Sequence, residues 1–326
     1  MSGTCEVLVN GRAVQARIGE TLVEAALNGS VVIPHDCCSG QCETCRVTVL
    51  SGQVDDRDTR RRDTVLACQA RIVGSVAVTF DEVPPVRKVT GRVRGVRDLS
   101  SDTLEVVVAT DSDLPFRPGQ YVSLKFAGYP ARDYSPTLSL ETHSQRELTF
   151  HIARYPGGAV SSHIGRAINV GHKVHVQGPF GSAFFRPGAG RLILVAGGTG
   201  FAPLWPIAVT ARRDNPDRTI VLIWGARRYS AIYMRDVIER LSSSGIETIV
   251  TATNESDASI RSGRPTDHLP VLRPDDTIHV AGPHSLVENV SSLANLSGCR
   301  CYADSFHQSA QRSTIFDRFV RFLIAD

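Results

Sequence analysis

Apolar and polar residues alternate along the start of the chain, from Glu6 to Ile18. Such alternation places every second side chain on one face of an extended strand, which indicates a half-buried sheet. Asn10-Gly11 interrupts the alternation, and this dipeptide tolerates the positive φ angles of a tight primed turn. The segment is therefore predicted to form a β-hairpin.

Cap and turn signals delimit the rest of this first unit. Thr21 and Glu24 have the spacing of a capping box, which predicts a short helix that Gly29 ends in a left-handed conformation. Strand-like stretches at 46–50 and 75–80 follow. Pro84-Pro85 then form a stiff break, where we expect a domain boundary.

Two further patterns follow that break. Up to Pro187, short β-type runs separated by Gly and Pro predict an antiparallel barrel; they lie at 103–109, 121–126, 148–153 and 173–177. From Arg191 onward, apolar strands alternate with helical stretches, and this alternation predicts a parallel sheet covered on both faces. The strands of that sheet are expected at 192–196, 220–224, 248–252 and 278–281.

Composition and charge narrow the function classes. The 326 residues are 42% hydrophobic and 21% charged, which fits two or three globular domains. A formal charge of +3, from 36 basic and 33 acidic residues, is too balanced to favour a nucleic-acid partner. The N-terminus lacks a basic flank followed by an apolar run, and no apolar run is long enough to span a bilayer, so we expect a cytoplasmic protein without a membrane role.

Four of the eight cysteines form a metal-binding pattern. Cys37, Cys42 and Cys45 have the spacing C-x4-C-x2-C, and Cys68 follows after a β-type stretch. This is the plant-type ferredoxin spacing, in which four thiolates hold a [2Fe–2S] cluster. The alternative is a tetrahedral zinc site, but zinc sites usually pair two C-x2-C knuckles and the second is absent here. The four remaining cysteines are interpreted as ordinary thiols: Cys5, Cys38, Cys299 and Cys301.

Further motifs follow the cysteines in a fixed order. Glycine turns occur at Pro156–Ser161 and Val195–Gly200, where a following helix would offer free N–H groups to a phosphate. The others are Pro118–Tyr121, Arg132–Ser135, Ala281–Pro283 and Tyr302–Phe306. Together they resemble the ferredoxin–NADP reductase superfamily, specifically reductase components of bacterial aromatic-ring dioxygenases of the naphthalene-dioxygenase type, over residues from about 5 to 306.

The resemblance implies a multidomain α+β and α/β protein. Its parts would be a β-grasp ferredoxin domain at 1–83, an antiparallel FAD-binding β-barrel at 86–188, a parallel-sheet NAD(P)-binding α/β domain at 189–306, and a tail at 307–326 that is predicted to be helical. Apolar residues of the tail fall at helical spacing, which favours a helix packed on its own domain over a docking surface for a partner.

The resemblance also implies the site residues. Tyr134, Ser135 and Asp304 would surround the flavin ring as catalytic residues, and Arg132 would pair with phosphate. Further residues are expected to bind FAD or NAD(P)H: His151, Ile152, Gly157, Gly158, Ser161, Gly198, Thr199, Gly200, Arg227, Arg228, Gly282, Pro283 and Phe306. The arginines suit a 2′-phosphate but are also common in NADH users, so the donor expectation leans to NADH.

Three departures from the family pattern stand out. Ala281 replaces the usual Cys of the C-G-P turn, which removes a polarizable contact to the nicotinamide and is expected to slow hydride transfer. Glu43 stands where a small residue is usual, and its carboxylate is expected to lower the cluster potential unless it faces solvent. The segment from Cys45 to Cys68 is shorter than is common in this class.

Electron counting connects the expected cofactors. NAD(P)H delivers two electrons as hydride while a [2Fe–2S] centre takes one, so a flavin between them has to divide the pair. The leading hypothesis is a monomeric reductase that feeds a Rieske-type ferredoxin or the oxygenase component itself. The alternatives are a free-standing flavoreductase for a small acceptor, a reductase serving deoxysugar synthesis, and a non-enzymatic iron–sulfur redox sensor, which the intact glycine motifs disfavour.

Overall fold

The structure, a computed structural model, describes residues 3–35, 38–40, 44–139, 146–253 and 260–306. These residues form two compact units that divide between Glu82 and Val83. Cys37, Cys42, Glu43 and the tail at 307–326 lie outside the described residues, so the sequence predictions for them are not addressed by the structure. Within the described part of the chain, no helix is both long and apolar enough to cross a bilayer.

The first unit is a five-stranded sheet with one helix. Its elements are β1 (Thr4–Val9), β2 (Arg12–Arg17), α1 (Leu22–Asn28), β3 (Arg46–Asp55), β4 (Thr64–Leu66) and β5 (Arg71–Thr79). The strand order is β2-β1-β5-β3-β4, with β1 parallel to β5 and the other pairs antiparallel. The buried side of α1 packs on the sheet core that includes Val7 and Ile72. This is the β-grasp arrangement that the sequence predicts.

The hairpin and the capping box are confirmed, but the predicted helix end is wrong in one detail. Asn10 and Gly11 both have positive φ, and the Thr21 hydroxyl accepts from the Glu24 backbone N–H at 3.2 Å. Gly29 has a φ of −86°, and Ser30 takes the left-handed conformation instead. Gly29 is needed for space, because a Cβ there would lie 2.4 Å from Cγ1 of Val14.

The second unit begins with the predicted antiparallel barrel. Its strands are β6 (Arg87–Asp98), β7 (Thr103–Thr110), β8 (Tyr121–Phe126), β9 (Arg132–Tyr134), β10 (Glu147–Ala153) and β11 (Lys173–Phe180). They are ordered β10-β7-β6-β11-β8-β9, and a bridge between Thr137 and Thr149 connects the two ends of that order. Phe126 and Phe150 are fully buried in the barrel core.

The sequence suggested that Gly157 and Gly158 open a helix, and the structure contradicts this prediction. Residues 156–163 form successive turns, and a bridge between Ile164 and Ile168 ends them. Gly157 and Gly165 both have positive φ, and such angles interrupt a right-handed helix. The expected helix N-terminus for a diphosphate is therefore absent from this described segment.

The unit continues as a parallel six-stranded sheet. Its strands are β12 (Leu192–Gly197), β13 (Ile220–Ala226), β14 (Glu247–Ala252), β15 (Arg261–Ser262), β16 (Thr277–Pro283) and β17 (Arg300–Phe306), and its helices are α2 (Phe201–Asp214), α3 (Arg235–Ser243) and α4 (His284–Leu296). The order is β15-β14-β13-β12-β16-β17. Helices α2 and α3 pack on one face of the sheet and α4 packs on the other, so both faces are covered as predicted.

Candidate functional site

The strand order reverses between β12 and β16, and two glycine turns lie at that point. From β12 the chain moves through β13 and β14 to one edge, and β16 then starts the other half of the sheet. The carboxyl ends of parallel strands beside such a reversal leave a crevice that binds ligands. Here the crevice is bordered by the turn Gly198–Gly200, which leads into α2, and by Ala281–Pro283 at the end of β16.

The two turns are packed against each other so closely that only glycine fits. A Cβ on Gly200 would lie 2.0 Å from the carbonyl oxygen of Ala281, and one on Gly282 would lie 2.7 Å from that of Gly197. Gly198 differs, because its φ is +55° and no atom lies within 4 Å of where its Cβ would be. The turn therefore leaves open space beside Gly198, and Thr199 next to it is partly exposed.

A buried tryptophan holds this turn in place. The indole N–H of Trp224, on β13, donates to the Gly198 carbonyl at 2.9 Å. The Trp224 ring stacks on Phe201, the first residue of α2, at 4.6 Å between centroids. Nothing in the sequence pattern indicates this role for Trp224. Trp224 lies in an apolar run that is typical of an ordinary strand. Its hydrogen bond to Gly198 joins residues that are 26 positions apart, so no local pattern indicates it.

The proposed catalytic residues meet between the barrel and the parallel sheet. Ser135 follows β9 of the barrel, and its hydroxyl donates to the Asp304 carboxylate on β17 at 3.1 Å. Tyr134 beside it has its ring edge-on to Phe150 of the barrel core. Ala281 pairs with Asp304 across β16 and β17, so the position that usually holds Cys is the strand neighbour of this carboxylate. Phe306 pairs in the same way with Pro283.

Burial changes the acidity of two of these groups. Burial raises the pKa of the Asp304 carboxyl to about 6, the Ser135 hydrogen bond opposes that rise, and the charge of nearby Asp133 adds to it. Burial also raises the pKa of the Tyr134 phenol, so its hydroxyl stays protonated at neutral pH. A carboxyl group that titrates near neutrality in a cleft is typical of a functional site.

His151 and Ile152 lie on β10, with their side chains on opposite faces. Ile152 is buried in the barrel core. His151 is buried against Trp205 of α2 and Tyr233, at 6.2 and 5.2 Å between ring centroids. Both its ring nitrogens lack a hydrogen-bond partner, and burial lowers its pKa to about 3. The structure thus places the His151 side chain in the packing between barrel and sheet.

The remaining candidates lie in the same unit and differ in exposure. Gly157 is exposed with open space around it, while Ser161 is buried and accepts from the Tyr155 backbone N–H at 3.1 Å. Arg132 is half-buried and donates to the Ala131 carbonyl at 2.7 Å. Arg227 and Arg228 follow β13 and are exposed; Arg228 pairs with Asp102 of the barrel at 3.2 Å.

Two of the four candidate cluster ligands lie among the described residues of the first unit. Cys45 precedes β3 and is buried, and Cys68 follows β4 and is half-buried. Because β3 and β4 are antiparallel neighbours, the start of one and the end of the other lie together, and the Ala67 N–H donates to the Cys45 carbonyl at 2.9 Å. Gly40 has a φ of +80°, as expected for a loop that turns around a cluster.

The residues present fit the three expected groups. Two thiols from adjacent strand ends suit an iron–sulfur centre. The open space at Gly198, at the strand-order reversal, suits a nicotinamide nucleotide. The Ser135–Asp304 pair, with Tyr134 beside it, supplies polar and aromatic groups for a flavin ring.

Known proteins match the chain along most of its length. Three family models cover successive parts: the 2Fe-2S iron-sulfur cluster binding domain at 3–73, the oxidoreductase FAD-binding domain at 91–185 and the oxidoreductase NAD-binding domain at 194–292. The reductase subunit of an aromatic O-demethylase from Amycolatopsis is 34% identical over 81% of this chain and 85% of its own length. The ferredoxin–NAD(P)+ reductase component of the naphthalene 1,2-dioxygenase system of Pseudomonas putida is 28% identical over 91% of this chain and 97% of its own.

Two solved structures are similar to the chain over most of its length. The cytochrome P450 reductase of Amycolatopsis superposes with a TM-score of 0.68 at 31% identity, covering 93% of this chain and 99% of that one. The ferredoxin reductase of a carbazole 1,9a-dioxygenase superposes with a TM-score of 0.64 at 24% identity, over 94% of this chain and 99% of that one, which supports the fold alone.

Proposed function

The chain belongs to the ferredoxin–NAD(P) reductase family of iron–sulfur flavoproteins, and from that membership we propose which of its residues serve each part of electron transfer. It is an oxidoreductase of the type that serves dioxygenase and monooxygenase systems, and it uses NAD(P)H, FAD and a [2Fe–2S] cluster. FAD, when bound, accepts the two electrons of hydride together and the cluster carries them onward one at a time. The observation that supports our residue assignment is the Ser135–Asp304 bond between barrel and sheet.

We assign the nicotinamide nucleotide to the crevice at the strand-order reversal. Gly198, Thr199 and Gly200 would border it from β12, and Gly282 and Pro283 from β16. Arg227 would approach the adenosine end from β13. Arg228 already pairs with Asp102, so one of the two arginines is partly neutralised, and this supports the preference for NADH over NADPH.

We assign the flavin ring to Tyr134, Ser135, Asp304 and Phe306. Tyr134 would stack or hydrogen-bond as a neutral phenol, and the Ser135 hydroxyl is held in one orientation by Asp304. His151 and Ile152 would contribute backbone groups, because the side chain of one packs on Trp205 and that of the other on the barrel core. Arg132, Gly157, Gly158 and Ser161 are the proposed phosphate contacts.

Cys37, Cys42, Cys45 and Cys68 are the proposed cluster ligands. Thiolate ligands and eight cysteines suit a reducing compartment, which supports a cytoplasmic location. The proposed acceptor is a Rieske-type ferredoxin or the oxygenase component itself, reached by a monomeric reductase. A cytochrome P450 oxygenase is a second candidate, because an O-demethylase reductase subunit and a P450 reductase are among the similar proteins.

One substitution separates the flavin half-reaction from the cluster half-reaction. Cys42→Ser should abolish NADH-dependent reduction of cytochrome c, while reduction of a dye that takes electrons at the flavin continues. Cys38→Ser is the matched control, because Cys38 lies in the same loop at a non-ligand position. If cytochrome c reduction survives Cys42→Ser, the ligand assignment and the route through the cluster are both incorrect.

A further inference from the structure

The side-chain amide of Gln69 bridges two segments of the iron–sulfur site. Its Nε2 lies 3.0 Å from the Cys38 carbonyl oxygen and 3.5 Å from Sγ of Cys68. Gly40 packs against the stem of the same side chain, since a Cβ on Gly40 would lie 3.3 Å from Cγ of Gln69. The residue that follows the fourth cysteine therefore contacts the loop that carries the other ligands.

The chemistry of the two partners fixes which end of the amide faces them. A carbonyl oxygen accepts hydrogen bonds, and so does a thiolate sulfur. The amide nitrogen carries two N–H donors, one for each partner, whereas the amide oxygen would meet two acceptors. Gln69 is thus oriented as a double donor, with one N–H directed at the sulfur of a proposed cluster ligand.

We infer that Gln69 tunes and positions the iron–sulfur centre: one N–H stabilises the Cys68 thiolate, and the other fastens the loop at Cys38. This inference rests on the proposed ligand role of Cys68. Reduction adds negative charge to the cluster and its sulfurs, so a donor at one sulfur favours the reduced state and raises the reduction potential. Gln69 acts through Cys68 and is a positioning residue.

Gln69 lies at a solvent-accessible side of the proposed iron–sulfur site, where its N–H groups compete with water as donors to the Cys68 sulfur. Cys38, Cys68 and Gln69 line one surface cavity of about 510 Å³, together with Arg57 and Arg71. Water can therefore approach the Cys68 side of the centre. A side chain that occupies this position with its N–H groups already directed at the sulfur provides a fixed donor there, in place of mobile solvent.

The test compares Gln69→Met with the wild type and with Gln53→Met in the full-length protein. Methionine keeps the length of the side chain and removes both donors, and Gln53 is an exposed glutamine on β3 of the same unit. In a spectroelectrochemical titration at the wild-type midpoint, the ratio of reduced to oxidised cluster in Gln69→Met should be roughly threefold lower than in the wild type, which is a shift of about 28 mV at about 59 mV per tenfold for one electron. Gln53→Met should match the wild type. A Gln69→Met midpoint equal to the wild type overturns the inference.

A second variant covers a failure of Gln69→Met to assemble its cluster. Gln69→Lys retains N–H donors at the end of a long side chain, so it should assemble the cluster and show a midpoint no lower than the wild type. Loss of the cluster in Gln69→Met with retention in Gln69→Lys supports the donor role, and loss in both variants shows that packing alone matters and overturns it. Wild-type protein without the visible and paramagnetic signature of a [2Fe–2S] centre would instead contradict the proposed ligand set.

Discussion

The acidity of Asp304 gives the flavin site a specific pH dependence. Its pKa of about 6 means that the carboxylate accepts from Ser135 above that pH and becomes protonated below it. The protonated carboxyl is a weaker acceptor and holds the Ser135 hydroxyl less firmly, so the rate of flavin reduction by NADH should fall several-fold on acidification, with a midpoint near pH 6. Stopped-flow measurement of flavin absorbance across pH checks this, and Asp304→Asn should flatten the profile.

Two neighbours should move that midpoint in opposite directions. Ser135 lowers the pKa of Asp304 through its hydrogen bond, and the charge of Asp133 raises it. Ser135→Ala should therefore shift the midpoint up and Asp133→Asn should shift it down. A midpoint that neither substitution moves would belong to another group.

The sequence indicates both Asp304 and Ser135 as candidate site residues, but not the hydrogen bond between them. The terminal motif is local and recognisable, whereas the Ser135 bond joins residues that are 169 positions apart. The same reason explains why Trp224 and Gln69 received no role: each acts through a hydrogen bond to a residue in another segment. Motifs report chemistry along the chain, and these contacts depend on how strands are paired.

At the scale of single elements, Gly29 shows whether a glycine is required for the space it leaves or for its backbone conformation. Because its φ is negative and a Cβ would meet Val14 at 2.4 Å, Gly29→Ala should destabilise the first unit by about 1–3 kcal/mol through overpacking. Gly74→Ala on β5 is the matched control, since no atom lies within 4 Å of its Cβ position. The thermal midpoint of cluster bleaching in the full-length protein measures both. Equal midpoints for the two variants would contradict the clash.

This element also shows where turn chemistry misleads. A glycine after a helix predicts a left-handed cap, and the structure gives that conformation to Ser30 while Gly29 makes room for a neighbouring strand. Periodicity was reliable for the hairpin and for four strands of each later sheet, but it did not predict β6, β9, β15 or β17. The glycine motif was unreliable at 156–168. Its glycines are typical of the start of a phosphate-binding helix, but the segment forms consecutive turns.

The nucleotide turn depends on the Trp224 indole. Trp224→Phe keeps an aromatic ring against Phe201 and removes the N–H that donates to the Gly198 carbonyl. A lost hydrogen bond of about 1 kcal/mol corresponds to roughly fivefold weaker binding, so KM for NADH and Kd for NAD+ should rise by about that factor with kcat little changed. Trp205→Phe, in the same aromatic cluster, is the control. A purely structural role would lower the thermal midpoint and leave KM unchanged.

At the scale of the second unit, two buried histidines connect stability to pH. His151 lies between the barrel and α2. His279 on β16 lies beside the Tyr302 ring, at 4.9 Å between centroids, and its Nδ1–H donates to the Ala183 carbonyl at 3.2 Å. Burial lowers the pKa of each to about 3, with smaller contributions from Arg97 at His151 and from Arg186 and Arg218 at His279. Both histidines are therefore neutral in the folded protein at neutral pH.

The sign of the effect follows from proton uptake on unfolding. Between the folded pKa near 3 and the unfolded value of about 6.5, the unfolded chain binds more protons, so stability falls as pH falls through that window. Each histidine should remove about 2 kcal/mol between about pH 7 and about pH 5. Asp304 acts in the opposite direction over the same range, because its raised pKa makes the folded state bind the extra proton.

The histidine contribution can be isolated with one substitution at a time. His151→Phe fits an aromatic cluster and removes a ring whose nitrogens make no hydrogen bond, with Nε2 lying 3.9 Å from a Glu105 carboxylate oxygen, so it should reduce the drop in thermal midpoint between neutral and mildly acidic buffer. His279→Phe should reduce this drop as well, while the lost hydrogen bond to Ala183 lowers the thermal midpoint in both buffers. His175→Gln changes an exposed ring and should leave the drop unaltered. If all three variants lose stability with acid as the wild type does, acid unfolding starts elsewhere in the molecule.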